Sequence, residues 1–311
     1  MRRKMLNVPK GSYDGMKGFT IIEFLVAGML SVIVLIAVGS SYFTSRKLND
    51  AANERLSAQQ DLRNAATLIV RDARMAGGFG CFNMSEHPAT DVVFDVVQKN
   101  RLFSLNLKRN STNKLIPITE SSNINYPNFF QVDSALIFQY GIDDVNASAA
   151  TTVVSSCAAI SKPGKQIPTL EDAKKELKIP QDKEQNGNIA RQRHVVNAYA
   201  VGKIAGEEGL FRFQLDDKGK WGNPQLLAKK VKRMDVRYIY VSGCPEDEDA
   251  GKEEQFKYTD KFDSSVTPAG VEVLLDSGSD AKIAASSDNI IYAYRINATI
   301  RGGNVCANRT L

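Results

Sequence analysis

From Phe24 to Gly39 every position is apolar except Ser31. Taken from Phe19 to Phe43 the run holds 25 residues, and a helix needs ~20 to cross a bilayer. Glu23 lies inside that run. An acidic side chain at mid-membrane costs roughly 2.5–3.5 kcal/mol, so Glu23 is expected to have a partner, and a nearby amine is the cheapest one. From Thr44 to Ala76 the pattern becomes amphipathic. Leu48, Ala52, Leu56, Leu62, Ala66, Ile69 and Ala73 recur at steps of three and four or their multiples, with Arg46, Lys47, Asp50, Glu54, Arg55, Asp61, Arg63 and Asp72 between them. No proline interrupts Thr20 to Ala76, and Gly77-Gly78 offers a stop, with Arg71 and Arg74 near the negative end of the helix. The pattern predicts one helix of ~80 Å, whose second half packs its stripe on a globular domain.

Beyond Cys81 the period shortens. Residues 91–98, 102–107, 133–140, 195–201, 210–215, 231–241 and 290–300 read as strands. Gly141-Ile142-Asp143-Asp144 reads as a turn, and Asp216-Asp217-Lys218-Gly219-Lys220 as a hairpin tip. Residues 162–190 are charged and carry three prolines, with a short helix around Leu170–Leu177. They read as a surface insertion, as do residues 245–261 around Glu246-Asp247-Glu248-Asp249. The fold class expected is α+β: a long hydrophobic-then-amphipathic N-terminal helix packed on a mostly antiparallel sheet. Its parts would be a leader (1–18), an apolar half-helix (19–43), an amphipathic half-helix (44–78) and a head (79–311).

The formal net charge of +5 sits mostly in the leader, where Arg2, Arg3, Lys4, Lys10 and Lys17 face only Asp14. The other 293 residues carry +1, so bulk charge gives no support for nucleic-acid binding, and the basic leader keeps the N-terminus cytoplasmic. Everything after the apolar run then lies in an oxidising space. Four cysteines there, Cys81, Cys157, Cys244 and Cys306, favour two disulfides. Three pairings are open. Cys81–Cys157 with Cys244–Cys306 is preferred, because Cys244 and Cys306 each follow or end a predicted strand.

Lys17-Gly18-Phe19-Thr20-Ile21-Ile22-Glu23 resembles the signal of type IV pilins and type II secretion pseudopilins. The resemblance implies that a prepilin peptidase cuts between Gly18 and Phe19 and methylates Phe19, and that Glu23 neutralises the new N-terminal amine in the same or a neighbouring subunit. Arg71-Asp72-Ala73-Arg74-Met75-Ala76-Gly77-Gly78-Phe79-Gly80-Cys81 resembles the helix end of PilW-type minor pilins, and residues 133–140, 210–213 and 231–238 agree in order and character. Membership would imply a non-catalytic subunit without cofactor. It would be anchored once in the bacterial inner membrane with its head periplasmic, and would work with other minor pilins, the major pilin and the assembly platform before reaching the pilus tip. Many major pilins have a proline near the place of Ser40, which is absent here.

Little else suggests chemistry. His87 and His194 are the only histidines and belong to no triad or metal spacing, and no G-x-x-x-x-G-K-[ST] loop occurs. Glu246–Asp249 and Asp143-Asp144 lack the regular spacing of a calcium loop and read as solvated acidic loops. Two further readings stay open: a J-type pseudopilin of type II secretion, and a tip-borne module binding DNA or a surface. The latter would use Arg101, Lys108 and Arg109, or Lys229, Lys230, Lys232 and Arg233, although no interleaved aromatics mark a stacking platform.

Overall fold

The computed structural model describes residues 20–87, 91–93, 115–179, 188–242, 255–276 and 294–301. Helix α1 runs Ile21–Met75, 55 residues without a break. The chain divides into two compact units, Met1–Ser57 and Ala58–Leu311. The described part of the first is helix alone, with its apolar side chains exposed from Ile21 to Phe43.

The second unit is α+β. Its strands are β1 (Gly78–Phe79), β2 (Phe82–Asn83), β3 (Val92–Val93), β4 (Ile118–Ser121), β5 (Phe129–Gln131), β6 (Ala135–Ile142), β7 (Thr152–Ser155), β8 (Ile160–Ser161), β9 (Ala190–Ile204), β10 (Glu207–Leu215), β11 (Trp221–Lys229), β12 (Arg233–Ser242), β13 (Gln255–Thr259), β14 (Gly270–Asp276) and β15 (Tyr294–Thr299), with a short helix α2 at Leu170–Glu176. The larger sheet is built on β9. One edge of β9 pairs with β10, which pairs in turn with β11; the other edge is shared in succession by β5, β6 and β7. The second sheet has the order β13-β12-β14-β15 and is antiparallel throughout. The pair β3–β8 is parallel.

The alternation of strand side chains explains why β9 is buried on both faces. Tyr199 and Val201 join a core with Leu136 and Phe138 of β6, Leu210 of β10, and Leu62, Ala65, Ile69, Ala73 and Ala76 on the helical side. Met234 and Tyr238 of β12, Val271, Val273 and Leu275 of β14, and Ile296 of β15 complete it, so both sheets meet the helix. On the other face of the larger sheet, Val196, Ala198 and Ala200 pack with Phe211, Phe213, Leu215 and Trp221 in a second core.

Several expectations need adjustment. Leu48, Ala52 and Leu56 are exposed, and helix burial begins at Leu62. Within the buried face Ala65 is enclosed, whereas Ala66 is only partly covered. Gly141 and Ile142 continue β6 rather than turning. A side chain at Gly141 would strike Gln192 Oε1 at 2.4 Å and the Phe79 ring at 2.7 Å, so the glycine serves a close approach within a strand. Strands β11 and β14 were not expected; β11 interrupts its apolar residues with Asn223, Gln225 and Lys229, contains Pro224 and lies at a sheet edge, where the missing N–H is tolerated. Residues 255–259, read as insertion, add the edge strand β13. The helix expected near Leu170 forms behind a Thr169–Asp172 capping box, and Ala173 and Leu177 pack on Val154 and Ile167. The hairpin tip holds as read: Asp216 Oδ1 accepts from the N–H groups of Lys218 and Lys220.

Candidate functional site

The first described turn of α1 is closed by its own residues. Thr20 N–H and Oγ1 each donate to Glu23 Oε2 at 3.1 Å, and Glu23 N–H returns a bond to Thr20 Oγ1 at 3.4 Å. This is the reciprocal capping arrangement of a T-x-x-E sequence. Gly18 and Phe19 lie outside the described residues. Past this turn the helix is long and apolar enough to cross a membrane, with mean hydropathy 2.8 over its best 18-residue window. Three hydroxyls bond within the helix: Ser31 Oγ to the Ala27 carbonyl at 2.8 Å, Ser40 Oγ to Ala37 at 2.9 Å and Thr44 Oγ1 to Ser40 at 2.9 Å. These three are therefore satisfied without water.

The last turn of α1 is different. Asp72 is fully buried, and donors converge on it from three strands. Tyr199 Oη donates to Oδ2 at 2.6 Å and Asn197 Nδ2 at 2.8 Å; Tyr140 Oη donates to Oδ1 at 3.0 Å. Arg71 Nη2 reaches Oδ1 at 3.0 Å and Arg212 Nη2 reaches Oδ2 at 3.4 Å. The register brings these side chains together. Arg212 of β10 lies opposite Tyr199 of β9, and Asn197 lies opposite Phe138, two residues from Tyr140 on β6. A carboxylate in the last helical turn opposes the helix dipole, and its burial costs several kcal/mol before compensation. Charge-assisted bonds of about 1.5–3 kcal/mol each offset that cost. Burial, then the Asp72 charge and the bond donated to it, push the Tyr140 phenol up to about 12. The same causes in the same order raise Tyr199 well above the ordinary phenol range. Both phenols are therefore donors at neutral pH, and the cluster acts as a clamp between helix and sheet.

The residues after Asp72 have separate structural uses. Gly77 N–H donates to the Gln139 carbonyl at 2.8 Å, joining the helix end to β6. Gly80 has φ +66°, and a side chain there would meet Ala190 Cβ at 2.8 Å. Cys81 is joined to Cys157 by a disulfide, with Cα atoms 4.7 Å apart. Cys244 and Cys306 lie outside the described residues. Asp72, read in sequence only as one of the polar positions between the apolar stripe and as part of the 71–81 resemblance, is the buried hub. Tyr140, Asn197, Tyr199 and Arg212 were not singled out in sequence. The available signal was a lone asparagine within the apolar run Val195-Val196-Asn197-Ala198-Tyr199-Ala200-Val201.

The remaining candidates are dispersed. His194 is buried, bonds Gln139 Oε1 at 3.1 Å and meets the Phe79 ring edge-on; burial holds its imidazole down to about 3. His87 stacks on Phe82 and bonds Asp91 at 2.8 Å. Among the described residues no group of three His, Cys, Asp or Glu side chains could hold a metal ion. Asp143 accepts from Gln192, and Asp144 pairs with Arg193 at 3.6 Å. Lys229 pairs with Glu207 and Arg233 with Asp235, whereas Arg101, Lys108, Arg109 and Glu246–Asp249 lie outside the described residues. The chain matches no family model, and no curated protein matches it.

Proposed function

We propose that this chain is a minor subunit of a type IV pilus, of the PilW type. In this reading the protein is held in the inner membrane by α1 with its head in the periplasm. Prepilin peptidase cuts between Gly18 and Phe19, and the mature subunit joins other minor pilins in a priming complex at the assembly platform. It ends at the pilus tip and has no catalytic role. The reading rests on the resemblance of residues 17–23 and 71–81. The observation that supports it most is α1 itself. One helix supplies both an exposed run fit for lipid and, from Leu62, the side chains around which two sheets pack. The size of the head suits an end position or rare incorporation better than a tightly repeated lattice.

The test is the N-terminal sequence and mass of the mature protein from membranes, with and without prepilin peptidase. A methylated Phe19 start that depends on the peptidase is the expected result. An uncleaved chain, or a cut elsewhere, overturns the reading. With the expected start in hand, co-purification with type II secretion components instead of pilins would move the chain to the pseudopilin reading.

A further inference from the structure

Strand β12 is covered unequally along its two edges. β14 pairs with it from Arg233 to Ile239, whereas β13 covers the other edge only from Tyr238 to Ser242 and ends at Thr259. The edge before Tyr238 borders a groove of about 550 Å³ between this sheet and the residues leading into β6. Met234 N–H leaves the sheet on this edge and donates to Asp133 Oδ2 at 2.8 Å. Val236 lines the groove, and by the alternation of an antiparallel ladder its N–H and C=O face the same way as those of Met234. Among the described residues no strand pairs with Val236 on that side. Between Met234 and Tyr238 the opening has the length of about three extended residues at ~3.4 Å each.

The charges around the opening are unbalanced. Glu120, Asp133, Asp235 and Asp260 line it together with Arg233 and Arg237. Both arginines are engaged: Arg233 pairs with Asp235 at 2.9 Å, and Arg237 pairs with Asp260 at 3.2 Å and with Glu272 at 3.4 Å. Among the described residues Glu120 and Asp133 have neutral donors only, the Tyr238 hydroxyl at 2.6 Å and Met234 N–H. We propose that this groove seats an extended segment of a partner protein, added antiparallel to β12 in line with β13, with an arginine or lysine opposite Val236. That residue exchanges both main-chain bonds with Val236. Directly opposed residues share one face of a sheet, and Tyr238 is bonded to Glu120 on the face it shares with Val236, so the basic side chain is directed toward Glu120. An acidic segment or a nucleic acid suits the groove less well, because it meets two uncompensated carboxylates and two arginines already paired. The seat involves no residue of α1 and stands or falls apart from the pilus reading.

The test uses the full chain in mild detergent and a fluorescent, end-blocked peptide of sequence Val-Thr-Arg-Thr-Val. Anisotropy should show saturable binding with a Kd below about 1 mM. The same peptide with glutamate at its centre should bind at least about tenfold more weakly. So should the arginine peptide methylated on its central backbone nitrogen, which can no longer donate to the Val236 carbonyl. In the protein, Glu120→Gln with Asp133→Asn keeps both acceptors and removes both charges, and Val236→Pro removes an edge N–H without touching the β14 ladder. Each should weaken the arginine peptide about tenfold at unchanged melting temperature. Failure of the arginine peptide to bind overturns the proposal. Equal binding of the methylated peptide overturns it as well, since the groove then takes a cation and not a strand, and that comparison needs no protein variant. Binding that survives both protein changes places the peptide elsewhere and also overturns it.

Discussion

Glu23 and Asp72 are carboxylates in the first and last turns of one helix, and they are satisfied in opposite ways. Glu23 is exposed and bonded to Thr20, three residues away. Asp72 is enclosed, and apart from Arg71 its donors lie on strands 68 to 140 residues further along the chain. The first arrangement needs only a local sequence. The second exists only when β6, β9 and β10 are in register. Glu23 can therefore exchange its partner for another group without disturbing the fold, whereas Asp72 cannot.

The sharpest way to break this contrast is to remove Asp72. Asp72→Ala leaves two buried phenols, an amide and a guanidinium without their acceptor, and should cost about 3–5 kcal/mol. Thermal or denaturant unfolding of the full chain in mild detergent would measure it. A loss below about 1 kcal/mol would mean that the cluster is not a clamp. The same hub predicts an alkaline limit. A phenol whose folded pKa lies above its unfolded value near 10 contributes stability in full below pH 10. That stability is lost as pH rises through the folded value, about 12 for Tyr140 and higher for Tyr199. Absorbance near 295 nm should show these two tyrosines titrating only with unfolding, and Tyr140→Phe with Tyr199→Phe should flatten that limb.

Next in size is the disulfide just beyond the helix. Replacing Cys81 and Cys157 together by serine should cost about 2–4 kcal/mol, since the bridge closes a long loop in the unfolded chain. The loss should appear without reductant and vanish when both proteins are compared in reductant. An effect smaller per pH unit concerns acid. His194 is held neutral at about 3, below its unfolded value of 6.5. The stability it contributes is complete above pH 6.5 and falls as pH drops toward 3, by about 1.4 kcal/mol per pH unit at most. His194→Gln should be less stable at pH 7 yet show a shallower decline between pH 6.5 and 4. An unchanged slope would place the acid sensitivity elsewhere.

How far the sequence discloses this molecule follows the same division. The apolar run and its polar interruptions are local and could be read from spacing; the capping pair at its start is local too, but Glu23 was read as a carboxylate awaiting an amine rather than as the partner of Thr20. The α+β class was legible too, because the buried strands around Phe138 and Tyr199 are apolar enough to stand out. Strand β11 was hidden by its polar residues and Pro224, which an edge position tolerates. The turn read at Gly141 failed because the glycine makes room for Phe79 and Gln192 instead of bending the chain. The Asp72 clamp was the least legible. Its motif marked the aspartate, but the tyrosines, asparagine and arginine that complete it become neighbours only through pairing of β9 with β6 and β10.

The smallest expected effect on stability is also the most informative about function. Glu23→Gln removes a charge from an exposed first turn but keeps an oxygen that can accept from Thr20, so unfolding should move by less than about 0.5 kcal/mol. If the carboxylate instead serves an N-terminal amine, the same substitution should sharply reduce association with other minor pilins. An amide carries no charge to neutralise an ammonium, and an uncompensated charge in lipid is costly. Co-purification from membranes, with the melting temperature measured on the same preparation, separates the two roles. Loss of association at unchanged stability would make Glu23 an assembly residue. Normal association would reduce it to a helix cap, and would leave Asp72 as the one carboxylate of α1 whose burial has a structural purpose.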